Sequence, residues 1–159
     1  MAYQKLQVGR GLNVIPSNTV PIPNPDTITI SGQGDFTTTN VLTDTGTSFT
    51  TTVQVGDIIY NTSSGIAYFV STVVSDTELK LTVGDVGGAA DNYIIYREAT
   101  NGCILFAGVA GDMSLELISD TSDGSRLIFK GIAAGAFLPI QVVRVAKTNT
   151  TATDIIALW

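Results

Sequence analysis

Apolar and polar residues alternate in short runs along most of the chain. In the clearest run, residues 78–82 read Glu-Leu-Lys-Leu-Thr, and residues 126–130 repeat the pattern with Leu127 and Phe129. A period of two is typical of a strand with one buried face, so Leu127 and Phe129 are expected on one face. Residues 132–137 could form at most one helical turn, because they are few and include a glycine. The pattern therefore predicts an all-β fold.

Turn residues divide these strands into two sets. In residues 27–98, apolar runs end at turns rich in Gly, Asn, Ser and Asp, which predicts a small barrel or sandwich. Residues 101–159 form a second set with the same spacing. The predicted strands are 27–30, 53–60, 66–74, 78–83, 93–96, 102–108, 113–118, 126–130, 139–146 and 155–159.

The segment before the first set carries alternating prolines. Residues 20–25 read Val-Pro-Ile-Pro-Asn-Pro. Proline fixes an extended backbone and cannot donate a hydrogen bond to a sheet interior. We therefore interpret residues 1–25 as an arm that runs over a surface, with an ordinary loop as the alternative.

Charge supports a division of the chain into a platform and an insert. Residues 26–98 hold nine of the 14 acidic residues but only two of the eight basic ones. We expect a platform built from the arm 1–25 and residues 99–159, with 26–98 as an inserted acidic β module. The alternative is that polar turns simply use aspartate. The net charge of −6 argues against direct binding of nucleic acid, which needs a basic surface.

The residue types exclude several kinds of chemistry. The chain has no histidine and one cysteine, so it lacks a Ser–His or Cys–His pair and a zinc or CxxC site. Asp112 and Glu116 would lie ~13 Å apart on a strand, too far for a glycosidase pair. Asp85 and Asp91 bracket a glycine-rich loop, but their spacing matches no calcium loop. We therefore predict no catalytic residue, no metal site, no cofactor and no enzyme activity.

The chain also carries no membrane signal. No apolar run approaches the ~20 residues that a spanning helix needs, and residues 1–5 lack a secretory hydrophobic region. We expect a soluble protein that is made in a reducing compartment and contacts no membrane.

Two stretches resemble structural proteins of tailed bacteriophages. Residues 137–145 (FLPIQVVRV) and 149–159 (NTTATDIIALW) are similar to the C-terminal signature of head-decoration and spike-base proteins. Residues 44–49 and 55–62 resemble a small β domain that recurs as an insert in phage virion proteins. The resemblance implies a virion subunit that is made in the host cytoplasm and lies on the outer capsid surface. Its platform would be a β-sandwich or jelly roll, carrying a small inserted barrel-like domain.

This resemblance also implies partners. The expected function is that of a decoration or cement protein, which binds the major capsid protein and stabilises the shell as a homo-oligomer, a trimer being favoured over a pentamer. One alternative is a spike-base, neck or tail subunit that anchors a fibre or spike protein. Another is a glycan-binding adhesin that uses Tyr60, Tyr68, Tyr93 and Tyr96.

The proline-bearing arm and the apolar C-terminal strands offer the expected contact residues. Extended arms and apolar strands provide the large contact areas that assembly requires. Trp159 closes an apolar strand, so it is expected either in a core or at a subunit contact. The predicted interface residues are Val20, Pro21, Ile22, Pro23, Leu138, Pro139, Ile156, Leu158 and Trp159.

Overall fold

The computed structural model describes residues 8–82, 85–120 and 126–159. The strands are, in chain order, β1 (Gly11–Asn13), β2 (Ile28–Gly34), β3 (Val41–Thr43), β4 (Ile58–Asn61), β5 (Ile66–Val73), β6 (Glu78–Leu81), β7 (Asp91–Tyr96), β8 (Cys103–Ala107), β9 (Gly111–Leu117), β10 (Leu127–Ile132), β11 (Phe137–Val145) and β12 (Ile155–Leu158). In the described residues, helical structure is limited to a 3-10 turn at Pro25–Thr27 and one turn of α-helix, α1, at Phe49–Thr52. The all-β prediction is confirmed.

The chain divides into two compact units, each built on one antiparallel sheet. One unit, here called the barrel unit, spans Ile15–Thr100. The other, here called the platform unit, comprises Asn101–Trp159 and the described residues up to Val14. The sequence predicts a boundary between residues 25 and 26. In the structure the chain passes from the platform unit to the barrel unit after Val14.

Residues 15–25 belong to the barrel unit because their backbone pairs with its last residues. The Asn24 amide donates to the Glu98 carbonyl at 2.8 Å, and the Thr100 amide donates to the Ile22 carbonyl at 2.8 Å. Pro23, which lies between these two bonds, forms a bridge with Ala99. The prolines lack a backbone N–H, but Ile22 and Asn24, which lie between them, still pair with the end of the barrel unit. Residues 15–25 therefore do not form a separate arm.

The barrel unit curls its sheet until the two edges meet. Its strands follow the order β2-β7-β4-β5-β6-β3. Asp35, directly after β2, pairs with Thr43 of β3 through two backbone hydrogen bonds of 2.8 and 3.0 Å. This bridge joins the edge strands and makes the unit barrel-like.

Aromatic and branched apolar side chains fill the inside of this curled sheet. Phe36 stacks on Tyr68, with ring centroids 5.8 Å apart, and meets Tyr93 edge-on at 6.0 Å. Such pairs contribute about 0.5–1.5 kcal/mol beyond their buried area. The core cluster comprises Phe36, Leu42, Phe49, Val53, Ile59, Tyr68, Val70, Leu79, Leu81, Tyr93 and Ile95.

The platform unit has a single continuous sheet in its described residues, where the sequence predicted a sandwich or jelly roll. Its strands follow the order β1-β12-β8-β11-β9-β10, all antiparallel. Leu105, Leu115 and Val142 are fully buried. Gly111 allows the chain to cross close to this sheet, because a Cβ there would lie 2.3 Å from the Ala152 amide nitrogen. Strands β1 and β10 form the two edges.

The segment considered for a helical turn is a β-turn instead. Gly135 has a φ of +80°, which glycine adopts without steric cost, and the Ala136 amide donates to the Ala133 carbonyl at 3.2 Å. This turn joins β10 to β11.

Candidate functional site

The four tyrosines considered for glycan binding do not form a surface. Tyr60, Tyr68, Tyr93 and Tyr96 are all buried in the barrel unit. Tyr60 and Tyr96 pack edge-on, with centroids 5.8 Å apart, and the other two belong to the core cluster. Burial raises the pKa of Tyr68 and of Tyr96 to about 12. The alternative of a glycan-binding face on these tyrosines therefore has no support, because no ring of the four is accessible for stacking.

An open cleft of about 320 Å³ lies where the barrel sheet closes. Asp35 and Asp44 contribute carboxylates to it, beside Gln33, Thr43 and Thr45. Asp44 accepts hydrogen bonds from the Tyr93 hydroxyl at 2.6 Å and from the Gly46 amide at 2.8 Å. Hydrogen bonds from Thr37 hold the pKa of Asp35 below its usual range. Both carboxylates thus have structural partners within the chain.

Asp91 fastens the glycine-rich loop to the end of the barrel. One of its oxygens, Oδ2, accepts hydrogen bonds from Asn61 Nδ2 at 2.8 Å, from the Gly88 amide at 2.7 Å and from Ser64 Oγ. These donors hold the pKa of Asp91 below its usual range, with the Gly88 amide contributing most. Gly87 permits this approach, because a Cβ there would lie 2.6 Å from Asp91 Oδ2. Asp91 therefore serves as a clamp rather than as half of a calcium loop.

The two carboxylates considered in the platform also have structural roles. Glu116 lies directly opposite Arg144 on the neighbouring strand and forms an ion pair with it. Asp112 accepts a hydrogen bond from the Gly131 amide at 2.8 Å. Cys103 is buried and donates its thiol to the Val142 carbonyl at 3.3 Å, and burial raises its pKa to about 12.

No metal cluster of three or more acidic, histidine or cysteine side chains occurs in residues 8–82, 85–120 and 126–159. Over the same ranges, no helix is long and apolar enough to cross a membrane.

Apolar side chains form a row on the outward face of the platform sheet. Phe106 lies directly opposite Phe137 on one neighbouring strand and Ile156 on the other, so all three side chains share one face. The rings of Phe106 and Phe137 are 5.1 Å apart, and Phe137 is 60% exposed. The opposite face carries Leu105 and Leu138, which are buried. We call Phe106, Phe137 and Ile156 the outer row.

The edge strand β10 is also apolar and open to solvent. Leu127 is 51% exposed and Ile128 is 45% exposed. Leu127 lies opposite the buried Leu115, and Phe129 lies opposite the buried Met113. Leu127 and Phe129 therefore share one face of the sheet, as predicted. This is the face whose residues on the next strand are buried, yet the side chain of Leu127 remains exposed.

The predicted interface residues fall into two groups. Val20, Ile22, Pro23 and Leu138 are buried within the chain, so their side chains are not available to a partner. Pro139 is exposed, while Pro21, Ile156, Leu158 and Trp159 are half-buried. Ile156 belongs to the outer row, and Leu158 lies two residues further along the same strand face. The backbone of Trp159 pairs with Arg10, from the Trp159 amide to the Arg10 carbonyl at 3.1 Å.

Sequence reasoning missed Phe137, Leu127 and Ile128 as surface residues. All three lie in apolar strands, and an apolar pattern alone does not reveal which strand ends at a sheet edge.

No protein-family model, curated protein or solved structure matches this chain.

Proposed function

We propose that the chain is a decoration or cement protein of a phage capsid, a homo-oligomer that binds the major capsid protein from outside. The observation that supports this most is the outer row, in which Phe137 exposes most of an aromatic side chain next to Phe106. Exposed aromatic residues backed by a rigid sheet are typical of contacts that carry most of an interface's binding energy.

The position of the outer row agrees with the resemblance noted in the sequence. Phe137 begins the stretch 137–145, and Ile156 lies in the stretch 149–159, which are the two stretches that resemble decoration proteins. The register of β8 with β11 and β12 brings these stretches onto one face. Two of the three outer-row residues therefore lie in the stretches that carry the resemblance.

A subunit bound across neighbouring capsid proteins would stabilise the shell by opposing their separation. The contact would be made by the outer row, with the exposed Pro139 two residues beyond Phe137 on the same strand. The alternative is a spike-base, neck or tail subunit that anchors a fibre through the same surface. It would be present in far fewer copies per particle than a decoration protein.

The test is binding to purified capsid shells that lack this chain, measured by co-sedimentation. Phe137→Ser should weaken binding at least about fivefold, since truncation of a central aromatic contact costs more than about 1 kcal/mol. The matched control is Val55→Ser, which removes a 66% exposed apolar side chain from the barrel unit and should leave binding unchanged. Wild-type affinity of the Phe137→Ser variant would overturn the assignment of this surface.

A further inference from the structure

Strand β10 leaves one side of the platform sheet without a neighbour. Within residues 8–82, 85–120 and 126–159, it pairs only with β9. Two of its apolar side chains, Leu127 and Ile128, are exposed. An edge strand that combines open backbone groups with exposed apolar side chains is a template for the addition of another strand.

The open backbone groups of this edge include those of Ile128. Ser114, which lies opposite Ile128 on β9, bonds away from β10. Its amide donates to Thr150 Oγ1 at 3.0 Å, and its carbonyl accepts from the Ala146 amide at 2.8 Å. Successive residues of a strand direct their backbone groups to opposite sides, so the β9 residues that bond β10 are those on either side of Ser114. The N–H and C=O of Ile128 therefore point to the free side of β10.

The same edge interrupts the apolar core face of the sheet. Leu115 on β9 is fully buried, yet Leu127, directly opposite it on the same face, is exposed. The side chains that cover Leu115 therefore do not extend over Leu127. A partner that covers Leu127 must continue the sheet with an apolar face on the same side, as a second platform sheet would.

We propose that β10 pairs antiparallel with β10 of a second copy, about a two-fold axis that passes between the two Ile128 residues. The register follows from the regular part of the edge, which ends before Gly131, because Gly131 has a φ of +64° and lies in the bulge after Phe129. Ile128 then lies opposite Ile128 of the second copy, and Leu127 lies opposite its Phe129. Each apolar residue of the regular edge thus meets an apolar residue, and the two sheets join into one.

The charges beside this edge do not drive the pairing. The register places Arg126 opposite Lys130 of the second copy, and like charges in such positions destabilise a strand pair. Each cation has an acid beside it in its own copy. Glu116 lies opposite Arg126 by the register of β9 with β10, and the Asp112 carboxylate accepts from the amide of the residue after Lys130. These acids offset part of the repulsion and salt screens the rest, so apolar contacts and backbone hydrogen bonds hold the pair.

This contact closes at two copies, because a two-fold contact joins the same surface of both chains. The inference deepens the proposed function, and the role of the dimer rests on that function. The outer row lies on β8, β11 and β12, away from the paired edge, and stays open in the dimer. A dimer would therefore present two outer rows to the shell, and simultaneous engagement of both would strengthen binding.

The test is disulfide capture in two single-cysteine variants, with oxidised glutathione as the oxidant and non-reducing gels as the readout. Ile128→Cys should form a cross-linked dimer, because the two residues lie directly opposite, with Cα atoms about 5.5 Å apart. Leu127→Cys is the matched control, since Leu127 is similarly exposed. In this register it lies diagonal to its counterpart at about 7–8 Å, beyond the reach of a disulfide. Wild type, which retains the buried Cys103, gives the background.

Light scattering after size-exclusion chromatography measures the same contact without a cross-link. Wild type should have twice the mass of the 16.7 kDa chain. Ile128→Pro should reduce it to the mass of one chain, because proline removes the N–H that faces the second copy and takes no bond from β9. Phe137→Ser, in the outer row, is the control and should stay dimeric. If circular dichroism shows that Ile128→Pro is unfolded, Ile128→Lys opposes two charges across the axis and should be monomeric.

Three results would overturn the pairing. These are a wild type that is monomeric or trimeric, an Ile128→Cys variant that cross-links no faster than Leu127→Cys, and a dimer that survives both Ile128→Pro and Ile128→Lys. Co-sedimentation with shells separates this proposal from the proposed function. A monomeric wild type that binds shells would refute the pairing and leave the proposed function intact. A dimer that cross-links as expected but fails to bind shells would support the pairing and refute the proposed function.

Discussion

The hydroxyl of Tyr93 donates a hydrogen bond to Asp44 Oδ2 at 2.6 Å. Tyr93 lies on β7, next to one edge of the barrel sheet, and Asp44 follows β3, the opposite edge. The bond therefore crosses the gap between the two edges of the barrel sheet, which the Asp35–Thr43 bridge also closes. Tyr68 offers a contrast, since its buried hydroxyl has no hydrogen-bond partner in the part of the chain that the structure describes.

This contrast predicts opposite results for two matched substitutions. Tyr93→Phe should lower the free energy of unfolding by about 1.5–3 kcal/mol, because it removes a hydrogen bond to a carboxylate. Tyr68→Phe should leave it unchanged or raise it, because it removes a buried hydroxyl that gains nothing from burial. Urea denaturation at pH 7 measures both. Equal destabilisation by the two substitutions would contradict the assigned roles.

The buried tyrosines also predict a loss of stability in alkali. Burial raises the pKa of Tyr68 and of Tyr96 to about 12, and burial with the nearby Asp44 raises that of Tyr93. An unfolded tyrosine ionises near pH 10, so the folded state retains protons that the unfolded state has lost. The stabilisation is complete below pH 10 and is lost as the pH rises towards 12, by at most about 1.4 kcal/mol per pH unit for each tyrosine.

Urea denaturation at pH 9, 10.5 and 11.5 measures this loss, with Tyr68→Phe as the control. The variant should lose stability less steeply, because one shifted group is gone. An unfolding free energy of wild type that is constant over this range would be incompatible with buried, neutral tyrosines.

The Asp91 clamp predicts a dependence on acid. The pKa of Asp91 is lowered by its donors, so its contribution is complete above the usual carboxyl pKa and is lost as the pH falls through the folded-state pKa. Asp91→Asn should cost about 1–3 kcal/mol at pH 7, because its amide cannot accept from all three donors. The variant should also show a smaller loss of stability between pH 5 and pH 2 than wild type.

The exposed Asp85, on the same loop, provides the control for this experiment. Asp85→Asn should leave stability at pH 7 close to that of wild type. If Asp91→Asn also left the stability at pH 7 unchanged, the loop would have to be held by other contacts.

The Glu116–Arg144 ion pair predicts a strong dependence between two positions. Arg144 is buried, so Glu116→Gln should destabilise the platform by about 3 kcal/mol, because it removes the carboxylate that pairs with the buried guanidinium. Glu116→Leu combined with Arg144→Met should cost less than the single change, because neither charge then remains. A double-mutant cycle by thermal denaturation measures the coupling, and additive effects would show that the two side chains are independent.

Individual strands depend on neighbouring residues and could be predicted from the sequence. Strand partners and sheet edges depend on the order of strands in the sheet and could not. The alternation of Leu79 and Leu81 gave the strand β6, and the structure buries both side chains. The pairing of Ile22 and Asn24 with the barrel unit could not be predicted, because their partners, Thr100 and Glu98, lie more than 70 residues away. Alternation marks a buried face but carries no information about which strand forms an edge.

The candidate site illustrates the same limit. Ile156 was predicted at an interface because it lies in an apolar strand near Trp159. Its role in the outer row depends on the register that sets it beside Phe106. Leu138 was predicted with the same logic, yet one residue of register places it on the buried face beside Leu105.

We propose that this chain coats a capsid. The most direct measurement is its copy number in purified particles, by quantitative mass spectrometry against the major capsid protein. A coat on the capsid requires hundreds of copies per particle, in a fixed ratio to the capsid protein. A dozen copies or fewer would contradict it and would assign the chain to a vertex, neck or tail.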